Sequence, residues 1–327
     1  VTVAGSLFGL AYGDALGAPT EFRTVPEILA RYGPAGPRDL AGPVSLVTDD
    51  TQMAIAVGNA LLGGEVSPAL LEPRLRAEFL AWWQSPENDR APGNTCLAAC
   101  ANLSRGGPWQ QATVIGSKGC GANMRVTPVG LVPGLSAEQR SGAAQLQAAL
   151  THGHPTALAA SELTAHAVRL LLDGTPPADL PAALHSHVYA QRSVYHHDWL
   201  GDLWQQPAMT SPADFIARGW DECEAVLARL DAALAAPDRA TDPCLQTGAG
   251  WIAEEALVTG LLCFLLFPDD PVSALSRAAT TSGDSDSIAC LTGAFAGAVL
   301  GMAAWPAEWL EVIEYRPDLT RLADAWS

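Results

Sequence analysis

Apolar residues recur near i, i+3, i+4 and i+7 in "SPALLEPRLRAEFLAWWQ" (67–84), "HPTALAASELTAHAVRLLLDG" (154–174) and "SPADFIARGWDECEAVLARLDAALAA" (211–236). That spacing lines one face of an α-helix. Each stretch opens with or near Ser, Pro or Thr, and several stop at Gly or Pro, as helix boundaries do. Alternating β-branched runs are nearly absent. The pattern predicts an all-α fold with long loops. The Gly- and Pro-rich loops fall at 33–45, 85–95, 104–135 and 174–182, and loops of that length in a compact domain usually carry function. The aromatic and His-rich stretch 183–210 matches no clean period and reads as loop-like. No repeat of 20–50 residues and no linker divides the chain, so residues 1–327 are expected to form one domain.

Two segments depart from the amphipathic pattern by being apolar all round. "ALVTGLLCFLLF" (256–267) is too short to span a bilayer, and acidic residues bracket it. "IACLTGAFAGAVLGMAAW" (288–305) comes near the spanning length but is dominated by Ala and Gly. Pattern and flanks favour a buried helix in each case. The first segment, "GSLFGLAYGDALGAPTEF", carries Gly5, Gly9, Gly13 and Gly17 at every fourth position. A glycine costs a helix roughly 1 kcal/mol relative to alanine. Four on one line therefore imply close packing of another helix or close approach of a ligand.

Composition narrows the function. Hydrophobic residues make up 49% of the chain and charged residues 16%, which fits a globular protein with a large core. The net charge of −17 argues against a broad phosphate-binding face, so general nucleic-acid binding is not expected. Seven cysteines without a CxxC pair speak against a zinc ribbon or a disulfide framework. No basic-then-apolar leader opens the sequence. A cytoplasmic protein without membrane contact is the expectation.

The chemistry concentrates in two acidic runs. "LVTDDTQMAIAVGNALL" (46–62) sets Asp49 and Asp50, flanked by Thr48 and Thr51, before a nearly uncharged helix. "TTSGDSDSIACLTGAFAGAVLGM" (280–302) repeats the arrangement with Asp284 and Asp286 among Ser285 and Ser287. One carboxylate at a helix start is ordinary capping. Two such pairs brought together would repel, and divalent cations would remove the penalty. Carboxylate and hydroxyl oxygens suit Mg²⁺ or Mn²⁺ rather than zinc. Two independent helix caps remain the structural alternative. "SKGCGANMRVTPVG" (117–130) reads as a Gly-rich loop whose amides could face a pyrophosphate, without the spacing of a P-loop. Lys118 within it could meet a phosphate, with solvent slightly preferred. The pairs His185/His187 and His196/His197 read as surface or half-buried residues rather than ligands of a soft metal. Cys96 and Cys100, one turn apart, read as core-facing.

"GSLFGLAYGDALGAPTEF", "TDDTQM", "SKGCGANMRVTPVG", "THGHPTALAAS" and "SGDSDSIA" occur in the order and spacing of the ADP-ribosylhydrolase family. The chain resembles that family, the ADP-ribosylglycohydrolases of the dinitrogenase-reductase-activating type, from about residue 4 to "WPAEWLEVIE". The resemblance implies a single compact orthogonal all-α helical domain, its long loops around a metal-containing cleft with two Mg²⁺ or Mn²⁺ ions at the base. On the matching positions, Thr48, Asp49, Asp50, Asp284, Asp286 and Ser287 are the expected metal ligands, with Ser287 where relatives usually carry Thr. Glu21 falls on a glutamate that gates the substrate, and Glu21, Asp50 and Asp286 are the expected catalytic residues. Ser117, Gly119, Cys120, Gly121 and Met124 would line the diphosphate loop, and His152 with His154 the adenosine side.

The implied reaction is hydrolysis of an N- or O-glycosidic bond at the anomeric carbon of the distal ribose, releasing ADP-ribose from a modified protein, small molecule or nucleic-acid base. A non-catalytic ADP-ribose binder or structural protein on the same scaffold is the alternative. A two-metal phosphohydrolase is a third reading, which would bring His or Lys beside the carboxylates.

Overall fold

The computed structural model describes residues 2–327. Among them are eighteen α-helices and no strand, as the all-α pattern predicts. Six helices position the cleft: α1 (Thr2–Gly17), α2 (Asp49–Leu62), α3 (Pro155–Leu172), α4 (Pro212–Ala235), α5 (Ala253–Leu266) and α6 (Ser285–Leu300). A single extensive apolar cluster joins side chains from nearly every helix, from Leu7 in α1 to Trp326 near the C-terminus.

The glycine stripe of α1 is a packing surface along its whole length. A Cβ on Gly5 would lie 2.6 Å from the Gly297 carbonyl oxygen, on Gly9 2.2 Å from that of Gly293, and on Gly13 1.9 Å from that of Ala289. On Gly17 it would lie 2.5 Å from the Ser285 oxygen. As the number rises along α1 it falls along α6, so the two helices run antiparallel with their backbones nearly touching. Ser6 Oγ donates to the Ala294 carbonyl (2.8 Å) and Ser285 Oγ to that of Gly17 (2.9 Å), fixing the register at both ends. Tertiary packing here overrides the poor helix propensity of glycine. The consequence for function is local: the C-terminal end of α1, carrying Asp14, is delivered to the N-terminal end of α6, carrying Asp284 and Asp286.

Both apolar segments are interior helices, α5 and α6, buried on nearly every residue. No helix among the described residues is long and apolar enough to cross a membrane.

The stretch 183–210 is more ordered than its pattern suggests. Residues 180–191 form a helix that starts with Pro181 in its first turn and buries Leu180, Leu184 and Val188. These sit at i, i+4 and i+8, a narrow stripe masked by the histidines between them. The loop 104–135 likewise contains helical turns at Trp109–Ala112 and Thr127–Leu131 and a tight 3-10 turn at Cys120–Ala122.

Candidate active site

The N-terminal ends of α2 and α6 open onto one cavity of about 360 Å³. Thr48 caps α2, its Oγ1 accepting from the Asp50 amide (3.3 Å). Asp284 holds the equivalent position on α6, its own amide donating to the Ala249 carbonyl (2.8 Å). The two acidic runs are therefore one site rather than two independent caps. Carboxylate oxygens of Glu21, Asp284 and Asp286 lie within 4.8 Å of one another. Asp49, Asp50 and Ser287 line the same cavity.

A further carboxylate, not singled out from the sequence, ties the cluster together. Asp14 is fully buried in α1 and accepts from the Thr48 amide (2.9 Å), Thr48 Oγ1 (2.7 Å), the Thr51 amide (3.1 Å) and Thr51 Oγ1 (2.5 Å). It seats the start of α2 on α1. The available signal was a lone charge inside an otherwise uncharged, Gly-striped helix.

Electrostatics set this group apart from ordinary capping. Burial and the Asp286 charge push the Asp14 carboxyl up to about 7, against the pull of its threonine hydrogen bonds. Burial, Asp286, Asp49 and Asp14 push Glu21 up to about 9. Asp49, Asp50 and Asp284 are driven well above the ordinary carboxylate range by burial and by one another. Asp50 Oδ2 is buried without a hydrogen-bond partner. Like charges held together in a dry site have these shifts as their physical cost.

No lysine or arginine lines the cavity. Arg125 lies beneath it, entirely buried, donating to Gln147 and Thr151 with its guanidinium over the Phe79 ring. His152 lines the wall, but burial and the neighbouring Arg125 press its pKa down to about 3, so it stays neutral. The fit to divalent cations rests on these observations: a cluster of carboxylate and hydroxyl oxygens, an orphaned carboxylate oxygen, and no lysine or arginine among the residues that line the cavity.

Glu21 reaches the cluster because α1 ends at Gly17. A 3-10 turn over Ala18–Thr20, with Pro19 inside it, redirects the chain, and Thr20 Oγ1 anchors it to the Ala279 carbonyl (2.7 Å). The next residue, Phe22, takes the left-handed conformation (φ 62°), uncommon for a bulky side chain. Its exposed ring stacks on Trp251 at 5.5 Å, closing one side of the cavity mouth.

The Gly-rich loop forms the opposite wall through Gly119, Cys120, Gly121 and Met124. Gly121 has no room for a side chain: a Cβ there would meet Cys96 Sγ at 2.9 Å. Several details differ from the expected picture. The Cys120 amide is turned away from the cavity and donates to the Trp251 carbonyl (3.0 Å). Ser117 lies behind the loop, its Oγ bonded to Thr95 Oγ1 (2.8 Å), and supports the wall instead of lining it. Thr48 also stays off the cavity surface, its hydroxyl proton directed to Asp14. Lys118 neither meets solvent freely nor enters the cavity, since Glu222 and Glu254 hold its ammonium. His154 caps α3 by accepting from the Thr156 amide (3.1 Å) and does not line the cleft. Cys96 and Cys100 are buried as expected, though Cys96 also touches the cavity.

The histidines are assigned elsewhere. His185 bridges Glu224 and Asp231 (2.8 Å each), and His187 Nε2 donates to buried Glu162 (2.8 Å) beside His196. A larger cavity, about 940 Å³, lies over that group. It holds no cluster of unpaired carboxylates, so the chemistry is assigned to the smaller one.

With fold and site described, the family follows: the chain belongs to the ADP-ribosylglycohydrolase family, whose sequence profile matches residues 2–327. It is 26% identical to the ADP-ribosyl-[dinitrogen reductase] glycohydrolase of Rhodospirillum rubrum, over 98% of this chain and 94% of that one. It is 27% identical to the ADP-ribosylhydrolase ARH3 of Bos taurus (95% and 88%) and 26% to the ADP-ribosylarginine hydrolase Tri1 of Pseudomonas putida (98% and 76%). Near-equal identities single out no one type. Among solved structures, an "ADP-ribosylglycohydrolase-related protein complex" shares the fold with a TM-score of 0.68 at 24% identity, covering 99% of this chain and 96% of that one.

Proposed function

We propose that this protein is a Mg²⁺- or Mn²⁺-dependent hydrolase that removes ADP-ribose from a modified target by cleaving the glycosidic bond at the anomeric carbon of the distal ribose. The observation that carries this reading is the convergence of Glu21, Asp49, Asp50, Asp284 and Asp286 at a cavity lined by no lysine or arginine, with Asp14 buried behind them. An anionic ligand cannot enter such a site unless cations accompany it. Asp49, Asp50, Asp284 and Asp286, with the Ser287 hydroxyl oxygen, would hold two ions. When bound, the ions would supply Lewis-acid polarisation and orient the ribose diol.

The chain's own residues do the rest. Asp14 holds Thr48 and Thr51, and so fixes the start of α2 that carries Asp49 and Asp50. The Gly119–Gly121 wall gives the diphosphate a surface without bulky side chains, and neutral His152 adds a polar edge. Water attacks the anomeric carbon as the bond to the leaving group breaks. Glu21, whose ionisation would be favoured once cations offset the carboxylate repulsion that raises its pKa, takes the proton that the water loses and passes it to the leaving atom, so that one water is divided between the two products. Glu21 suits this role because its carboxylate belongs to the acidic cluster while its segment forms the cavity mouth.

The test is release of free ADP-ribose from a panel of arginine-, serine-, ester- and base-linked substrates, with and without Mg²⁺. Metal-dependent release from at least one member supports the reading. ADP-ribose binding with no release from any member would make the protein a binder on this scaffold.

A further inference from the structure

Lys118 stands at the start of the Gly-rich loop, and its ammonium is held by two glutamates outside the cavity that the loop lines. Its Nζ lies 2.5 Å from Glu254 Oε1 and 2.6 Å from Glu222 Oε2. Glu254 stands in the first turn of α5 and is almost wholly buried; Glu222 belongs to the middle of α4. Glu222 Oε2 also accepts from Thr156 Oγ1 (2.6 Å), at the start of α3. One ammonium thus gathers three helices behind the loop.

The backbone on either side continues the same attachment. The Ala253 amide donates to the Lys118 carbonyl (2.9 Å), and the Cys120 amide donates to the Trp251 carbonyl (3.0 Å). Asn123 Nδ2 donates to the Ala253 carbonyl (2.8 Å). Lys118 is therefore the side-chain anchor of a short paired segment, 118–120 against 251–253. That segment sets where Gly119, Cys120 and Trp251 stand around the cavity.

We propose that Lys118 is a positioning residue for the diphosphate wall: its clamp on Glu254 and Glu222 fixes the distance between the Gly119–Gly121 loop and the acidic cluster. The role of that wall rests on the ADP-ribose reading above. An ordinary surface ion pair is worth about 0–1 kcal/mol and anchors little. This pair differs because Glu254 is buried and its Oε2 already lacks a partner. Without the ammonium, its carboxylate would be left uncompensated in the interior, and the paired segment would have to move to let water in.

The experiment compares the parent with Lys118→Met, Lys118→Arg and the charge-free Lys118→Met/Glu254→Gln. Amide hydrogen exchange over 115–124 and 250–254 is measured together with ADP-ribose affinity, KM and kcat. The expected result for Lys118→Met is faster exchange in both segments and no change in α6. ADP-ribose Kd and KM rise at least about tenfold, with kcat within about threefold, as a displaced binding wall requires. Lys118→Arg restores most of the loss. If Lys118→Met fails to fold, exchange and affinity are read on the double variant, which removes the clamp without leaving a buried charge; parent-like exchange in both segments there overturns the clamp. Unchanged exchange in both segments overturns the clamp, as does unchanged Kd with exchange raised. A parent that binds no ADP-ribose refutes the functional reading instead, and the exchange data alone then decide the clamp.

Discussion

Glu162 and the aspartates of the cleft are all buried, yet their surroundings are opposite. Glu162 receives Ser141 Oγ (2.9 Å), Gln145 Nε2 (2.6 Å) and His187 Nε2 (2.8 Å), with His196 close by. Against the cost of burial, those partners hold its carboxyl down to about 2. In the cleft, Asp49, Asp50 and Asp284 face other carboxylates, and their protonation is driven upward. A buried charge that is fully paired serves the fold. A group of buried charges that the protein does not pair is arranged for something that comes from outside. The contrast explains why the larger cavity, above Glu162, is not the better candidate for catalysis.

The strongest way to break this comparison is a pair of substitutions. Asp286→Asn should lower ADP-ribose release by at least about a thousandfold. The same change should leave the metal-free melting temperature equal or higher, because one of several crowded anions is gone. Glu162→Ala should do the reverse. It strips the partner from His187, Ser141 and Gln145, costing about 3 kcal/mol of stability, with release per folded molecule within about twofold of the parent. Melting curves and a release assay on both variants decide the matter. A large loss of metal-free stability in Asp286→Asn would reduce the acidic cluster to a structural cap.

Glu21→Gln sharpens the picture within the cleft. Turnover should fall about a hundredfold, as expected for a positioned general base. ADP-ribose affinity, measured by calorimetry, should stay within about tenfold of the parent, because Gln preserves the size and hydrogen bonding of the side chain. Turnover near the parent level would remove Glu21 from the proton path.

The smallest effect is a difference in the sign of pH dependence. Asp14 and Glu21 have folded pKa values of about 7 and about 9, above their unfolded values. The folded state then binds more protons than the unfolded one between roughly pH 4 and pH 9. Metal-free stability should therefore fall as pH rises through that window, read as a falling melting temperature. Glu162 lies on the other side: its contribution is present above roughly pH 4.5 and is lost as pH falls toward 2. Melting of metal-free Glu162→Ala across pH should flatten the acid limb and keep the alkaline decline.

The two regions were also unequally legible from the sequence. The acidic runs could be read because their chemistry is local: carboxylates and hydroxyls within four residues, each before an uncharged helix. The glycine stripe announced a close contact, and α6 supplies it through Gly293 and Gly297. Asp14 escaped notice because its partners, Thr48 and Thr51, are more than thirty residues away. The surroundings of Lys118 were hidden for the same reason, Glu222 lying 104 and Glu254 136 residues along the chain. The 180–191 helix was concealed differently. Its histidines pair with acids from α3 and α4, so polar residues occupy its packed side and blur the period.

The central claim, that the cleft is built around divalent cations, is tested most directly by the melting temperature of the metal-free protein as Mg²⁺ is added at constant ionic strength. A ligand that binds only the folded state stabilises it by about 2.7 kcal/mol at a hundred times its Kd. The melting temperature should rise with Mg²⁺ and saturate, and the rise should be lost in Asp286→Asn. Equal melting temperatures with Mg²⁺ or Mn²⁺ and with potassium salt of the same ionic strength would contradict the account.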